Sequence, residues 1–354
     1  MALAPSSLSD LLQHGFDTVI DVRSPSEFAE DRMPGAINLP VLNDEERALV
    51  GTTYVQDAPF TGRKVGAALV FRNIAAHLLG PLADKDGAWR PLVYCWRGGQ
   101  RSGAFAWSLR EIGWRADTVE GGYQSYRRLV FRALYEDALP YRLVLLDGYT
   151  GTAKTDLLTR LAARGVQVVD LEGLAAHRGS LLGATDTAQP SQKWFESELA
   201  GVLSGLDPAR PVLVEAESNK IGDRILPPAL WKAMKAAPRI EVQAQVEDRV
   251  QYLLEAYDDI LSDSNRLREK LTPLKVHRGG ALVDQWMSLI AAGDKAALTR
   301  SLMQDHYDPA YEKSRRSIGA VTVAQVAAPS LRPDGLDATA GAIEAALETM
   351  PPGA

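Results

Sequence analysis

Short apolar runs recur along the chain, each followed by a loop rich in glycine or charge. Residues 16–23 read as a turn into a buried strand that ends in a charged pair, Asp21 and Arg23. Residues 33–40 read as a turn into another short strand, and Pro91-Leu-Val-Tyr94 as a third. Further on, residues 143–147 form an apolar run without alternation, as expected of a strand buried on both faces of a parallel sheet. Residues 165–170 and 211–215 read as strands too, and residues 240–246 alternate as a further one. Helical stretches lie between them. Ser24 caps, Pro25 suits a first turn, and Glu27 stands three residues after Ser24 as in a capping box. Residues 44–54, 67–79, 102–111, 156–164 and 248–260 read as helices, and 265–354 as mainly helical. Strands alternating with helices predict an α/β protein with parallel sheets and ligands at the strands' carboxyl ends.

With 354 residues the chain exceeds one typical domain. The pattern divides it into residues 1–136 and 137–354. Apolar content of 46% and charged content of 24% are ordinary for a globular protein. No apolar stretch reaches the ~18 residues of a membrane span. The N-terminus lacks the basic and apolar regions of a signal peptide. A cytoplasmic location is therefore expected, with no membrane partner. The single cysteine excludes an internal disulfide and a Cys-rich zinc site. None of the five histidines has a metal-ligand partner by spacing. A net charge of −6 makes no global case for nucleic acid, although local basic patches remain.

That one cysteine sits in Tyr94-Cys95-Trp96-Arg97-Gly98-Gly99-Gln100-Arg101-Ser102. Strand, cysteine, glycine loop and helix start make an anion cradle. Loop N–H groups, the helix N-terminus, Arg97 and Arg101 all stabilise a thiolate and lower the thiol pKa. A structural cysteine needs neither the arginines nor the glycines. Cys95 and Arg101 also satisfy the Cys-x5-Arg pattern of cysteine phosphatases, whose arginine holds phosphate oxygens. Those enzymes usually carry His before the Cys, where this chain has Tyr94.

A second anion site follows the 143–147 strand. Gly148-Tyr-Thr-Gly151-Thr-Ala-Lys154-Thr155 has the order and context of a P-loop. Backbone N–H groups cradle phosphates, Gly148 and Gly151 shape the turn, Lys154 is the cationic arm, and Thr155 suits Mg²⁺. The motif wants Gly where Ala153 stands. If that position takes positive φ, Ala costs about 1 kcal/mol or more; if it is already helical, Ala costs little. Residues 211–215 end in acid like a Walker B strand, which sets Glu215 or Glu217 near a metal or its water.

Asp21-Val-Arg-x-Pro-x-Glu-Phe28, Pro34-Gly-Ala-Ile-Asn-Leu-Pro40, the Cys95 loop and Val119-Glu-Gly-Gly-Tyr123 together resemble a rhodanese domain. Residues 44–54 are not usual for a plain rhodanese. Placed ahead of a P-loop, with Leu171-Glu-Gly-Leu-Ala-Ala-His-Arg-Gly-Ser180, Gln189-Pro-Ser-Gln192…Phe195-Glu196, Glu215-x-Glu217-Ser218…Ile221-Gly222 and Tyr307-Asp-Pro-x-Tyr311, the chain resembles the bacterial tRNA 2-selenouridine synthases from about residue 21 to 315.

The resemblance implies an N-terminal rhodanese-like domain followed by a P-loop NTPase-like parallel-sheet domain with a helical C-terminal region. It implies a transferase acting on wobble 2-thiouridine of tRNA, by S-geranylation from geranyl diphosphate and then replacement of the geranylthio group by selenium from selenophosphate. No tightly bound cofactor is expected; an enzyme that supplies selenophosphate is an implied partner. On this reading Gly148, Gly151, Lys154 and Thr155 hold the diphosphate, with Mg²⁺ at Thr155 and Glu217. Arg97, Gly98, Gly99 and Arg101 bind selenophosphate around Cys95, whose thiolate accepts or relays selenium. With no second cysteine, a perselenide is discharged by the substrate or an external thiol. Glu172, His177, Arg178, Ser180, Gln192, Glu215 and Glu217 face the substrate cleft, and Arg127, Arg128 and Arg278 contact the anticodon arm, making binding salt-dependent. Two other readings stay open: a rhodanese sulfurtransferase fused to a nucleotide-dependent kinase, and a Cys-x5-Arg phosphatase.

Overall fold

Two parallel sheets organise the chain, one in each of two compact units. The computed structural model describes residues 2–56, 58–318 and 321–350. Within them the first unit holds the chain up to Ala138 together with Pro190–Gly205, and the second holds Leu139–Gln189 and the chain from Leu206 onward.

The first unit contains β1 (Ala2–Leu3), β2 (Thr18–Asp21), β3 (Ile37–Asn38), β4 (Pro91–Tyr94) and β5 (Asp117–Val119). Their order is β1-β5-β4-β2-β3, with every neighbour parallel. Central β4 is buried along its whole length, which is why its sequence is apolar without alternation. Ile20, Val93, Phe105, Leu109, Val70 and Ile74 form the core on one side. At the end of β2, Asp21 and Arg23 are the ion pair that the sequence suggests. Arg23 Nη2 lies 2.6 Å from Asp21 Oδ2 and 2.6 Å from the Asp31 carbonyl oxygen, with both side chains buried. The Arg23 guanidinium also lies 4.0 Å from the centre of the Tyr123 ring. The helix Pro25–Glu30 begins as expected, with the Ser24 N–H donating to the Glu27 carboxylate at 3.3 Å.

The insertion between β3 and β4 forms two helices, Asp44–Gln56 and Pro59–Leu79. The second starts eight residues before the expected 67, because Pro59 suits a first turn. The pair touches at Gly62, where a Cβ would stand 2.7 Å from Tyr54 Cα. Helix Gln100–Ile112 follows β4 and starts two residues before the expected 102. Helix Gln192–Ser204 belongs to this unit and buries Phe195.

The second unit contains β6 (Arg142–Asp147), β7 (Gln167–Val169), β8 (Pro211–Glu215), a hairpin of β9 (Lys220–Ile221) and β10 (Arg224–Ile225), then β11 (Arg239–Gln243) and β12 (Thr322–Ala327). The main sheet runs β12-β11-β6-β8-β7, again all parallel. Helices Lys154–Ala163 and Pro333–Glu348 cover one face through Leu157, Leu161, Ala340 and Ile343. The helical segment expected at 248–260 is Val246–Ala256 followed by a short turn, Asp258–Leu261. The region from 265 onward is mainly helical, and its core is built on Trp286, whose indole N–H donates to Ser301 Oγ at 2.8 Å. It also supplies β12, an edge strand that the helical reading did not include. Among the described residues no helix is long and apolar enough to cross a membrane.

Candidate functional sites

The first site forms where β4 gives way to helix Gln100–Ile112. Cys95 is buried, and its Sγ accepts a hydrogen bond from Ser102 Oγ at 3.2 Å. Burial pushes the thiol up. The Ser102 hydroxyl and N–H, the Arg101 charge and the Gly99 N–H together outweigh burial and hold it below the ordinary thiol value. The turn depends on Gly98, whose φ of +65° and close approach exclude a side chain: a Cβ would stand 2.6 Å from the Val119 carbonyl oxygen. Tyr123 N–H and Gln124 N–H close the loop on the Cys95 and Trp96 carbonyls at 2.8 and 3.1 Å. Arg97 projects to the surface, whereas Arg101 is half-buried and pairs with Glu27 at 3.3 Å. Glu27 is also held by Arg47 Nε at 3.1 Å. One carboxylate thus serves two arginines, leaving net positive charge beside the thiol loop.

Four other expected site residues lie on helices of this unit or in the helical tail of the second. Arg127 pairs with Glu196 and stands 3.9 Å from Asp31, so its charge is matched within the unit; Arg128 is exposed. Gln192 donates to Glu196 at 2.9 Å and belongs to the first unit. In the second unit, Arg278 donates to His306 Nδ1 and to the His306 carbonyl, both at 2.9 Å.

The second site follows β6. Gly148 to Ala153 form the loop, and helix Lys154–Ala163 begins directly after it. Ala153 has φ +58° and ψ +34°, the left-handed conformation, so the Gly-to-Ala departure falls at a position that does strain an L-residue. Lys154 Nζ donates to the Gly148 carbonyl at 3.1 Å and lies 5.3 Å from the centre of the Tyr311 ring. Arg249 Nε donates to the Thr150 carbonyl at 2.9 Å, and its guanidinium pairs with Asp308 at 2.7 Å, fixing the loop from outside.

A cavity of about 330 Å³ opens over this loop, lined among others by Lys154, Thr155, Glu172, His177, Arg178 and Ser180. Four of the expected cleft residues therefore line one cavity. Thr155 Oγ1 donates to Glu172 at 3.0 Å, and the Glu172 N–H donates to Glu215 at 2.6 Å. Arg178 is braced by Asp259 at 3.0 Å. Glu217 is pushed up to about 8, first by burial and then by the Glu172 charge, with Lys154 opposing. Burial and the acids around it also raise Glu215, whose Oε2 has no hydrogen-bond partner among the described residues. Mg²⁺ was expected between Thr155 and Glu217, yet Thr155 touches Glu172. Among the described residues no group of three or more His, Cys, Asp or Glu side chains is arranged to hold a metal. Thr155 and Glu172 would hold Mg²⁺ together with phosphate oxygens of a ligand, the usual way that ion is bound.

A neighbouring cavity of about 240 Å³ shares Ser180 and Tyr311 with the first and is walled by Trp231, Met234 and Tyr307. Beneath it Asp147 at the end of β6 is held by Arg239 at 2.9 Å and Arg315 at 2.9 Å. Burial raises the Asp147 carboxyl, but Arg315, the Gly148 N–H and Arg239 bring it below the ordinary range. Asp147, Arg239, Arg249, Asp308, Tyr311 and Arg315 were absent from the expected site. The one available sign was the Tyr307-Asp-Pro-x-Tyr311 run.

Comparison with known proteins agrees with both halves of this architecture. A rhodanese-like domain profile matches residues 4–129, and the profile of the tRNA 2-selenouridine synthase AAA domain matches residues 141–277. A tRNA 2-selenouridine synthase of Cupriavidus pinatubonensis is 33% identical over 339 residues, covering 86% of this chain and 90% of the relative. That of Hahella chejuensis is 34% identical over 333 residues, covering 83% and 84%. That of Nitrosomonas europaea is 36% identical over 262 residues, covering 72% and 68%.

Proposed function

The chain belongs to the tRNA 2-selenouridine synthase family, and from that premise we propose that it converts a 2-thiouridine of tRNA to 2-selenouridine in two steps. In the first, the base sulfur attacks the allylic carbon of geranyl diphosphate. A C–S bond forms, the C–O bond breaks, diphosphate departs with the electron pair, and the base gives up its N3 proton. Lys154, Thr155 and the N–H groups of the Gly148–Ala153 loop hold the diphosphate. In the second, the Cys95 thiolate forms a bond to C2 and geranylthiolate leaves. Selenium from selenophosphate then forms its bond to C2 and returns the electron pair to Cys95, and water cleaves the Se–P bond and releases phosphate. Arg97, Gly98, Gly99 and Arg101 hold selenophosphate beside the Cys95 thiolate. Arg128 and Arg278 meet the RNA backbone.

The observation that supports this reading best is that one chain carries two anion cradles of different chemistry. One surrounds a thiol held below its ordinary pKa, and the other is a lysine-armed loop at a helix N-terminus. A two-step exchange of one chalcogen for another asks for both.

The test is direct. The purified protein is incubated with tRNA shown to carry 2-thiouridine and with geranyl diphosphate, the RNA is digested, and nucleoside masses are read before and after adding selenophosphate. A geranyl mass increment followed by the selenium nucleoside is expected. No geranyl increment on confirmed substrate overturns the proposal.

A further inference from the structure

The helix pair inserted between β3 and β4 has no part in the chemistry above, yet it walls the largest of the described cavities, about 990 Å³. The cavity lies in the first unit, between the pair Asp44–Gln56 and Pro59–Leu79 and the helix that follows Cys95, and Gln100, Arg101 and Ala104 of that helix line it. Val50, Tyr54, Val55, Val70 and Phe71 make its walls apolar. Val55 is 83% exposed, and Phe60 on the same pair is 72% exposed. Apolar surface of this extent, left uncovered, marks a ligand or partner site. Its charged lining is of one sign. Arg47, Arg63 and Arg101 contribute to it, and Arg47 and Arg101 share the single carboxylate of Glu27. An apolar trough with an arginine edge fits an amphiphile with a long hydrocarbon chain and an anionic head. A nucleotide bearing a prenyl thioether has that character, and the thiol loop at which it would react adjoins the same wall.

We propose that this cavity receives the prenyl chain of the S-prenylated base, with the nucleotide phosphate at Arg47 and Arg63, and with Arg101 left to the selenophosphate. The group installed at the P-loop is then the feature by which the Cys95 site selects its substrate. The inference rests on the two-step reading, and it adds a second, separate prenyl-binding place and a reason for the inserted helices.

Binding to the full-length protein tests it without turnover. S-geranyl-2-thiouridine 5′-monophosphate and its S-methyl counterpart are titrated calorimetrically, with decanoate as a plain-chain control. The geranyl compound should bind roughly a hundredfold more tightly than the methyl one, given the apolar area that the longer chain buries. Ala67→Trp fills the cavity from an exposed position of the second inserted helix and should remove most of that advantage. Ala48→Trp, also exposed and lining, repeats the test should the first variant fold poorly. A photoreactive geranyl analogue should label peptides from residues 44–71. Equal affinity for the two thioethers, equal binding of decanoate, unchanged binding by the filled variants, or labelling confined to the second unit would each overturn the proposal. Absence of the geranyl mass increment in the reaction assay would remove the two-step reading instead, and the binding result would still decide whether the cavity takes prenyl thioethers.

Discussion

Ser102 Oγ donates to Cys95 Sγ at 3.2 Å from the first turn of the helix that begins at Gln100. The hydroxyl is buried, so this hydrogen bond is not diluted by water, and it is the largest influence opposing burial at the thiol. Ser102→Ala removes only an oxygen and leaves packing nearly intact. Its thiol pKa should rise, and alkylation by iodoacetamide at pH 7 should slow by about threefold or more. An unchanged pH profile of alkylation would mean that Arg101 and the loop N–H groups alone set the thiol.

Ala153 tests the cost of the left-handed residue before Lys154. Glycine relieves φ +58° but removes a buried methyl and loosens the unfolded chain. These effects are each about 1 kcal/mol and oppose one another, so Ala153→Gly should change stability by no more than about 1 kcal/mol. Ala153→Val adds a branched side chain where both backbone and core resist it, and should cost about 2 kcal/mol or more. Urea unfolding of both variants gives the comparison. A loss with Gly as large as with Val would show that the methyl, not the backbone, dominates here.

The contrast between what the sequence disclosed and what it hid follows from range. β2, β4, β6 and β8 were legible because a strand buried on both faces must be apolar throughout. The Cys95 and Lys154 loops were legible because each is one contiguous motif, recognisable from residue order between a strand and a helix. β12 was not: it is an edge strand, mostly exposed, and only pairing with β11 distinguishes it from its helical surroundings. The same holds for Arg249 with Asp308, Asp147 with Arg315 and Arg101 with Glu27, whose members are far apart in sequence. Composition marks such residues only as charged. Gln192 was named with the substrate-cleft residues from its motif, and only tertiary contact shows that its helix packs in the first unit.

Asp147 is the buried anion under two arginines, and its loss should be costly. Arg239 is 5% exposed and its Nη1 is 2.9 Å from Asp147 Oδ2. Asp147→Asn keeps the shape and removes the charge, leaving Arg239 buried without its counter-ion. A destabilisation of about 3 kcal/mol or more is expected from chemical denaturation. Replacing the pair together, as Asp147→Leu with Arg239→Met, should recover part of it. No recovery would show that Arg315 and Glu241 require the pair.

Glu217 makes stability depend on pH. A carboxyl held above its unfolded value binds its proton more tightly when folded. Its contribution is therefore fully present below the unfolded value near 4.5 and is lost as pH rises through the folded value near 8. The ligand-free protein should lose stability between pH 5 and 8 at up to about 1.4 kcal/mol per pH unit from this group, read as a falling melting temperature. Glu217→Gln cannot ionise and should flatten that decline, so that it melts above the parent protein at pH 8.5. Parallel curves for the two proteins would place the titration elsewhere, with Glu172 or Glu215 the next to replace.

The two-site reading makes its sharpest demand on Cys95 and Lys154 together. Cys95→Ala deletes the thiolate but leaves Lys154, Thr155 and the Gly148–Ala153 loop untouched, since these belong to the other unit. It should form the geranylated nucleoside at close to the parent rate and stop there, without selenium. Lys154→Ala removes the charge that neutralises departing diphosphate and should slow geranylation by about a hundredfold or more. Given tRNA already carrying the geranylthio group, the same variant should still install selenium. Nucleoside masses from the two variants on the two RNAs give four readings. Loss of both steps in folded Cys95→Ala would mean that the thiol takes part in prenylation as well, and that the units do not divide the reaction.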